Sequence, residues 1–536
     1  MKKSKKFALT LVSLLALTLT ACGGGGDTDD SGGGSGGGSA NGENTLVVGM
    51  DSDLKTMDPA RGYEVYGNMM YYAMYDYLYK TYESSTPEPS LAESHELDDT
   101  QTVHTFKIKK DVKFSSGNPL TSKDVAFSIN RTKNLKSNTS HHTENVKSVE
   151  TPDDHTVVIT LNEPDAAFLV KLANNAFAIV DSEVVKEHGG TDAEDASSAD
   201  TAEEWLNQNS AGSGAYVLSE WKQNVEVVLE KNENYWGEVK NDKVICKEIP
   251  DVNTQIQNVK QGDIDIALGV GVDNASQLED QDGVDLKSYT GTTTTFLLMN
   301  DDPEIGKEMA DPKVQEAVRR AINYKELLEI CGDGAVLPLN IVPKGFTGAL
   351  EKAKDYQDVD KAKQLMEEAG YKDGFDVKFT VPNFDTEGMS WTTMGQKIKD
   401  DLSKIGINAK IETAEIGVAI DSYREGKEQF LFMHWHPDFP DINNQLAFLP
   451  GETVGERAKW SDPSDGKLDE LKKTVQTESD EEKRVAASEE LQKLLDQQMP
   501  FALLVQHPKV LAYRSNLDGV NYYEVQKINF QDIAVK

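Results

Sequence analysis

Apolar residues recur with the spacing of strands or helices along most of the chain after residue 45. The apolar run at residues 46–50 and the alternating run at residues 104–110 predict strands, and the second pattern continues through residues 111–114. Thr121 is a suitable N-cap for a helix over residues 122–131. Short apolar stretches predict further strands at residues 157–161, 215–218, 225–229, 244–248 and 264–268.

The second half of the chain alternates helical and strand patterns. Asp311 followed by Pro312 is a typical helix start, and apolar residues then recur at helical spacing. Further helices are predicted at residues 358–369, 394–405 and 480–498, and strands at residues 377–381, 407–411 and 501–505. This alternation predicts an α/β fold of mixed sheets flanked by helices.

The first 21 residues have the pattern of an export signal. Lysines at positions 2, 3, 5 and 6 precede an apolar run, residues 7–19, which is too short to cross the roughly 30 Å of bilayer hydrocarbon. The segment ends in LTAC, which resembles a bacterial lipobox, so we expect cleavage before Cys22 and lipidation of its thiol. The alternative is an ordinary secretory signal with a chance cysteine. Residues 22–44 then predict a lipidated, flexible tether rich in Gly, Ser and Asp.

Composition narrows the class of protein. A formal net charge of −36 disfavours nucleic-acid binding, which needs clustered Lys and Arg. An apolar content of 38% is sufficient for well-packed cores. Cys246 and Cys331 could pair in an oxidising compartment, but buried free thiols are the stronger expectation.

Residues 434–441, which read HWHPDFPD, concentrate groups that can carry chemistry. His434, His436 and Asp438 would lie on one face of a strand, and imidazoles with a carboxylate suit Zn or Ni. Pro437 interrupts that alternation, so a ligand-binding loop and a purely structural loop are the alternatives. His141 and His142, by contrast, lie in a polar stretch and are expected to be solvated. Residues 191–201, acidic and rich in small side chains, predict a surface loop.

Sequence signatures of catalysis are absent from the chain. Apart from the GGSGG of the glycine-rich tether, it contains no GxSxG, and it contains no HExxH and no recognisable Cys/His arrangement. We therefore expect no enzyme activity, no catalytic residues, no cofactor and no metal site.

Several stretches, taken in order, resemble the family-5 solute-binding proteins of bacterial ABC importers, the peptide and nickel group. Residues 91–131 begin LAESHELDDTQTVHTFKIKKDVKF, and GSGAYVLSEW and LEKNENYWG follow. The later stretches are DPKVQEAVRRAINY, DVDKAKQLMEEAGY and HWHPDFPDINN. The resemblance extends over nearly all of the chain from residue 46 onwards.

This resemblance implies a two-lobed periplasmic-binding-protein-like fold of type II, in the large class that has an extra subdomain. The base of lobe I would comprise residues 45–84, 212–293 and 512–536, the extra subdomain residues 85–211, and lobe II residues 294–511. A hinge is expected where the chain crosses between lobes, near residues 292–295 and 512–516.

Site residues follow from the same resemblance. In peptide-binding members, an Asp in a W-x-x-D-Y segment pairs with the α-ammonium of the ligand, and residues 435–439 match with Phe in place of Tyr. Asp438 is therefore expected to hold a peptide's amino end. The other expected cleft residues are His434, Trp435, His436, Phe439, Trp391, Tyr63, Tyr66 and Arg61. For Trp391, Trp435, Tyr63 and Tyr66, core packing is the alternative, and for Arg61 an ordinary surface position.

One departure from the family pattern leaves the ligand open. Dipeptide-selective members clamp the ligand carboxylate with an Arg, but the matching residues 381–391, VPNFDTEGMSW, contain no Arg or Lys. A fixed-length dipeptide is therefore doubtful, which favours longer peptides. An oligosaccharide, a metal or metal chelate, or a sensor role for the same fold are the alternatives.

The resemblance thus implies a substrate-binding lipoprotein that captures peptides between its lobes and delivers them to a membrane permease. The expected partners are a peptide, an ABC permease and the membrane, reached through the lipid on Cys22, with no nucleic acid. We expect a monomer on the extracytoplasmic face of the bacterial cell membrane.

Overall fold

The computed structural model describes residues 44–51, 54–81, 86–352, 356–462, 464, 466–524 and 527–536. These residues all belong to one compact unit. The predicted signal peptide, Cys22 and most of the tether lie outside the described residues.

The strands agree well with the apolar patterns. They are β1 (Thr45–Met50), β2 (Tyr79–Thr81), β3 (Pro87–Pro89), β4 (Ala92–Leu97), β5 (Val103–Ile108), β6 (Val146–Asp153), β7 (Thr156–Leu161), β8 (Tyr216–Lys222), β9 (Glu226–Lys231), β10 (Lys243–Glu248), β11 (Ile266–Ala267), β12 (Val284–Met299), β13 (Phe375–Pro382), β14 (Asp385–Thr386), β15 (Met389–Ser390), β16 (Ile407–Ala414), β17 (Phe430–Trp435), β18 (Phe501–Arg514), β19 (Leu517–Asp518) and β20 (Ala534–Val535).

Helices occupy most of the remaining chain. They are α1 (Gly67–Met74), α2 (Ser122–Leu135), α3 (Phe168–Lys171), α4 (Ser182–Glu187), α5 (Ala196–Ala199), α6 (Glu203–Leu206), α7 (Val252–Gln261), α8 (Val272–Ala275), α9 (Pro312–Ala321), α10 (Tyr324–Cys331), α11 (Val359–Glu368), α12 (Trp391–Ser403), α13 (Ile416–Arg424), α14 (Ile442–Gln445), α15 (Thr453–Arg457), α16 (Lys467–Thr477) and α17 (Glu481–Gln498). Short 3₁₀ turns include Ser140–Thr143 and Asn175–Phe177.

Local chemistry explains where the predicted helices begin. Thr121 and Asp124 form a reciprocal capping box at the start of α2. The Asp311 carboxylate accepts a hydrogen bond from the backbone N–H of Lys313, with Pro312 at the first helical position of α9. Both starts are confirmed as predicted from the sequence.

A mixed sheet of ten strands runs through the molecule in the order β16-β13-β17-β12-β18-β11-β1-β10-β9-β8. β1 lies parallel to both β10 and β11, and β13 lies parallel to β16 and β17. The long strands β12 and β18 pair antiparallel at the middle of the order, with an irregularity between Thr290 and Thr294. A separate antiparallel sheet has the order β4-β5-β7-β6.

Three main apolar cores surround these sheets. The N-terminal core contains side chains of β1, α1, β8–β10 and the segment from Leu517 to Ile533. The subdomain core lies between Leu78 and Ile179, and the C-terminal core between Phe296 and Val505. The mixed α/β fold is thereby confirmed, while the domain boundaries and hinge positions given above remain predictions.

Two local expectations are wrong. β5 ends at Ile108 instead of continuing through residue 114, because Asp111 takes a positive φ of 62° that breaks an extended strand. Residues 191–201 are not simply a surface loop. They contain the short helix α5, and Asp200 that follows it is buried.

Asp200 is buried because it completes an ion network. Arg131 on α2 donates to both oxygens of Asp58 at 2.9 and 2.6 Å and to both oxygens of Asp200 at 2.8 and 3.0 Å. The side chains of Arg131, Asp58 and Asp200 are 1%, 0% and 0% exposed. This network ties together three segments that are distant in sequence. Cys246 and Cys331 are free and buried, as expected.

Candidate functional site

The segment HWHPDFPD begins on a buried strand and ends at a helix. β17 pairs with β12 through residues 430–435, and its first four side chains are buried. At the other end, Asp441 caps α14 and receives two hydrogen bonds from Arg484. Both ends are therefore fixed, and residues 436–440 form a loop held between them.

A cavity of about 330 Å³ lies against this loop. From the N-terminal half it is lined by Tyr63, Val65, Asn68, Asn174 and Asn175. The opposite wall consists of residues 433–440 with the end of α13 and Arg457. Its volume is near the lower end of the roughly 300–1,000 Å³ that is usual for small-molecule sites.

Asp438 is the acidic group at the centre of this wall. Tyr63 donates its hydroxyl to Oδ1 of Asp438 at 3.0 Å, and Nε2 of His141 lies 3.9 Å from Oδ2. Burial alone would raise the pKa of Asp438, but His141, His142 and Tyr63 together hold it below its ordinary value. Asp438 is therefore an anionic carboxylate with lone pairs still available on the cavity side.

His141 and His142 are not simply solvated, contrary to the expectation from the sequence. The turn Ser140–Thr143 brings both rings to Asp438, and His142 is only 7% exposed. Burial, with the neighbouring His141, lowers the pKa of His142 to about 3. Nothing in the polar stretch SNTSHHTEN signals this position, because the contact to Asp438 is set by tertiary structure.

Trp435 and Phe439 flank the carboxylate. Trp435 packs edge-to-face on Phe448, and its Nε1 is buried with no hydrogen-bond partner among the described residues. Phe439 packs with Ala167 and Val170, and the Lys171 ammonium lies 5.3 Å from its ring centre. Both side chains line the cavity, and an unpaired indole N–H is a donor that a ligand can satisfy.

His434 and His436 do not converge as a metal pair with Asp438. Nδ1 of His434 lies 3.2 Å from the Thr386 hydroxyl, whereas Nδ1 of His436 lies 2.9 Å from that of Thr293. The two rings separate because β17 ends at Trp435, so the strand alternation does not extend to His436. Burial lowers the pKa of His434 to about 4 and holds that of His436 well below its ordinary value. Both rings are cavity lining.

Three other sequence candidates lie away from this cavity. Trp391 is fully buried and donates to the Thr386 hydroxyl at 2.8 Å, which is a core position. Arg61 lies within 4.0 Å of Asp58, Asp200 and Glu203, and thus belongs to the ion network. Tyr66 precedes α1 and packs against the N-terminal core. Of the predicted residues outside the segment 434–441, Tyr63 is the one that lines the cavity.

Cationic side chains that sequence reasoning missed also line the cavity. Arg457, the last residue of α15, lies with its guanidinium 4.6 Å from the Tyr423 ring centre. Among the described residues, no carboxylate oxygen is within 4.0 Å of that guanidinium. Arg424 is more exposed and lies 4.0 Å from Asp421. These arginines come from helices distant from residues 381–391, so no local motif identifies them.

Comparison with known proteins identifies the family. Residues 86–457 match the family described as "Bacterial extracellular solute-binding proteins, family 5 Middle". The chain belongs to this family. As a family-5 solute-binding protein, it is 28% identical over 491 residues to the "Probable D,D-dipeptide-binding periplasmic protein DdpA" of Escherichia coli (strain K12), covering 89% of this chain and 91% of the relative.

Solved structures support the same conclusion for the fold of this solute-binding protein. HbpA2 from Haemophilus parasuis superposes with a TM-score of 0.80 at 23% identity, covering 92% of this chain and 100% of that one. DppA from Helicobacter pylori in complex with the peptide STSA gives a TM-score of 0.73 at 25% identity, over 92% and 98%. The fold is therefore that of the family-5 periplasmic binding proteins. Among the residues that the structure describes, every helix is too short or too polar to span a bilayer.

Proposed function

We propose that this solute-binding protein captures peptides in the cavity beside Asp438 and delivers them to an ABC permease without chemical change. The single observation that carries the proposal is an anionic carboxylate on a cavity wall in a protein of this family. Peptide chemistry is supported by relatives, since the Escherichia coli protein is named for a D,D-dipeptide and the Helicobacter pylori structure contains a peptide.

The amino end of the peptide is assigned to Asp438. A carboxylate that is half-buried and only partly hydrogen-bonded forms charge-assisted bonds with an ammonium group, roughly twice as strong as neutral ones. Tyr63 orients the carboxylate by its 3.0 Å hydrogen bond. Pro437 and Pro440 restrict the loop, which reduces the entropy lost when the ligand binds.

The carboxylate end is assigned to Arg457. Its guanidinium lines the same cavity and lacks an acidic partner among the described residues, so its fork of N–H donors is available to a planar carboxylate. Arg457 therefore replaces the arginine that is missing from residues 381–391. Together with the cavity volume of about 330 Å³, this position favours short peptides over long ones.

The remaining parts of the proposal concern how the protein is held and what it meets. We propose that the lipid on Cys22 anchors a monomer to the extracytoplasmic face of the cell membrane, where a permease receives the peptide. The lipid anchor is supported by the lipobox-like LTAC sequence, and the extracytoplasmic location by the extracellular role in the family's description.

The test is a calorimetric titration of purified protein with a short peptide and with its N-acetylated form. The peptide to be used is the one that native mass spectrometry finds bound to the protein as purified. Asp438→Asn should weaken binding of the free-amine peptide by about 10- to 100-fold, the range expected for losing a hydrogen bond to a charged group. The acetylated peptide should lose much less.

Asp99→Asn is the matched control, since Asp99 is an exposed turn residue and its substitution should leave both affinities unchanged. Equal losses for the two peptides in Asp438→Asn would show that Asp438 is only structural and would refute the assignment.

A further inference from the structure

His141, His142 and Asp438 form a cluster of which the proposed peptide function uses only Asp438. One ring nitrogen of each histidine and one carboxylate oxygen all lie within 4.8 Å of one another. Two imidazoles and a carboxylate are the donor set of many zinc sites and of related late transition metals. This cluster differs from the pair His434 and His436, which the structure separates.

The tautomer of His141 fits a metal ligand. Its Nδ1 lies 2.7 Å from the carbonyl oxygen of Asn138, and because a carbonyl can only accept, Nδ1 carries the proton. The lone pair of the neutral ring is then on Nε2, which is the nitrogen that lies 3.9 Å from Asp438. Metal-binding histidines commonly donate their second N–H to a backbone carbonyl in this way, which fixes the ring orientation.

His142 provides an independent observation. The side chain is 7% exposed, and its Nε2 is buried without a hydrogen-bond partner among the described residues. A buried polar atom without a partner is costly, by about 1–3 kcal/mol, and native structures rarely tolerate one without reason. The ring lies 3.9 Å from that of His141 between centroids, with the two planes tilted by 40°, so the two imidazoles are held together.

Asp438 is oriented in a compatible way. Tyr63 occupies Oδ1, which leaves Oδ2 on the side of His141. The nearby cation Lys171 is paired with Asp165 at 2.6 Å, and this pairing reduces its repulsion of a bound metal ion. With this lysine paired, the Asp438 carboxylate supplies a negative charge that attracts a divalent ion.

The cluster also has room for further ligands. All three residues line a second cavity of about 340 Å³, together with Glu163 and Asp165. In a tetrahedral site with bonds of about 2.0–2.1 Å the donor atoms are roughly 3.4 Å apart, so an ion would draw these three atoms inwards. The fourth position would face the second cavity and take water.

We propose that His141, His142 and Asp438 bind one divalent late transition metal ion of the Zn²⁺ class. The ion joins the turn Ser140–Thr143 to the loop after β17, two segments far apart in sequence. The proposal does not depend on peptide binding, and its test uses no peptide.

The experiment titrates untagged, chelator-treated protein with Zn²⁺ by calorimetry and with Co²⁺ by visible absorption. Wild-type protein should bind one ion of either metal, and Co²⁺ should give the intense d–d bands of a low-symmetry site with nitrogen ligands. Ca²⁺ and Mg²⁺ should not bind or compete, because they prefer all-oxygen ligands.

Substitutions then locate the ion. His141→Ala and His142→Gln should each weaken Zn²⁺ binding by at least 100-fold. Tyr63→Phe, which removes only the hydrogen bond that orients Asp438, should weaken it by about 10- to 100-fold, as is typical for partners of metal ligands. His188→Ala is the matched control, because His188 stacks on Trp205 away from the cluster and its loss should change nothing.

His141 is partly exposed, so His141→Ala keeps the test valid even if a substitution at buried His142 unfolds the protein. Absence of Zn²⁺ binding by the wild type would overturn the proposal. Binding that survives both His141→Ala and His142→Gln would overturn it equally, since the ion would then lie elsewhere.

Discussion

Two groups of charged side chains join distant parts of the chain, and their charges are satisfied to very different degrees. Around Arg131, both oxygens of Asp58 and of Asp200 receive hydrogen bonds, and all three side chains are almost completely buried. Around Asp438, one oxygen receives a hydrogen bond from Tyr63, and the carboxylate side chain is 32% exposed. A charged group whose hydrogen bonds are all made within the protein stabilises the fold. A charged group with hydrogen-bonding capacity to spare is available to a ligand.

The largest effect should come from Arg131→Ala. It leaves Asp58 and Asp200 as buried carboxylates without their main partner, which typically costs about 3–5 kcal/mol. We expect a strongly lowered midpoint in urea unfolding followed by circular dichroism. Arg424→Ala, which removes a mostly exposed arginine beside Asp421, is the matched control and should leave the midpoint unchanged. If the midpoint of Arg131→Ala were within error of that of the wild type, the network around Arg131 would not be a stabilising one, and the contrast with Asp438 would fail.

Low pH should weaken the ion network of Arg131, Asp58 and Asp200. Burial opposes ionisation of Asp200, but Arg131 outweighs it and holds its pKa below the ordinary value. A carboxyl with a lowered folded pKa contributes stability above its unfolded pKa of about 3.9, and that contribution is lost as the pH falls through the folded pKa. The difference in urea midpoint between wild type and Asp200→Asn should therefore be greatest near neutral pH and shrink in acid. A difference independent of pH would contradict this account.

Arg457→Gln tests a second unsaturated charge. Because its guanidinium lacks a carboxylate partner among the described residues, we expect its loss to affect binding more than folding. Affinity for a peptide with a free C-terminal carboxylate should fall about tenfold, while that for the C-terminal amide changes little. Calorimetry measures both. Arg424→Gln is the matched control, since Arg424 is mostly exposed and lies beside Asp421. Equal effects of the two substitutions would show no specific carboxylate contact at Arg457.

The smallest effect is expected for Asp438→Asn on the free energy of unfolding. The side chain is partly exposed and keeps a hydrogen-bond acceptor for Tyr63, so the free energy of unfolding should change by less than about 1 kcal/mol. Urea unfolding of ligand-free protein measures this change. A loss as large as that of Arg131→Ala would place Asp438 among the structural charges and not among the binding ones.

The sequence predicts the helices and strands better than it predicts the tertiary contacts between them. Periodicity and capping residues correctly locate β1, α2 and α9, because these signals act within a few residues. Asp111 breaks β5 through a positive φ, which alternating hydrophobicity cannot indicate. Family resemblance leads to Asp438, and Tyr63 among the candidates lies in hydrogen-bond contact with it.

The neighbours of Asp438 illustrate what cannot be read from the sequence. His141 and His142 precede it by almost 300 positions in the sequence, and Arg457 approaches the cavity from the end of a helix. Trp391 and Arg61 fit the cleft by residue type, yet the first fills a core and the second joins the Arg131 network. Polarity and sequence motifs identify side chains that could bind a ligand. Their burial and their hydrogen-bond partners in the folded protein decide which of them can reach one.

Nε1 of Trp435, which has no hydrogen-bond partner among the described residues, gives the protein an intrinsic fluorescence reporter. Indole fluorescence depends on the polarity around the ring and on hydrogen bonding at its N–H, and we expect both to change when a solute fills the cavity that Trp435 lines. The chain has six tryptophans, so the emission of the other five has to be subtracted. Emission recorded during a titration thus follows occupancy without any dye, and subtraction of the Trp435→Phe signal isolates the contribution of this ring.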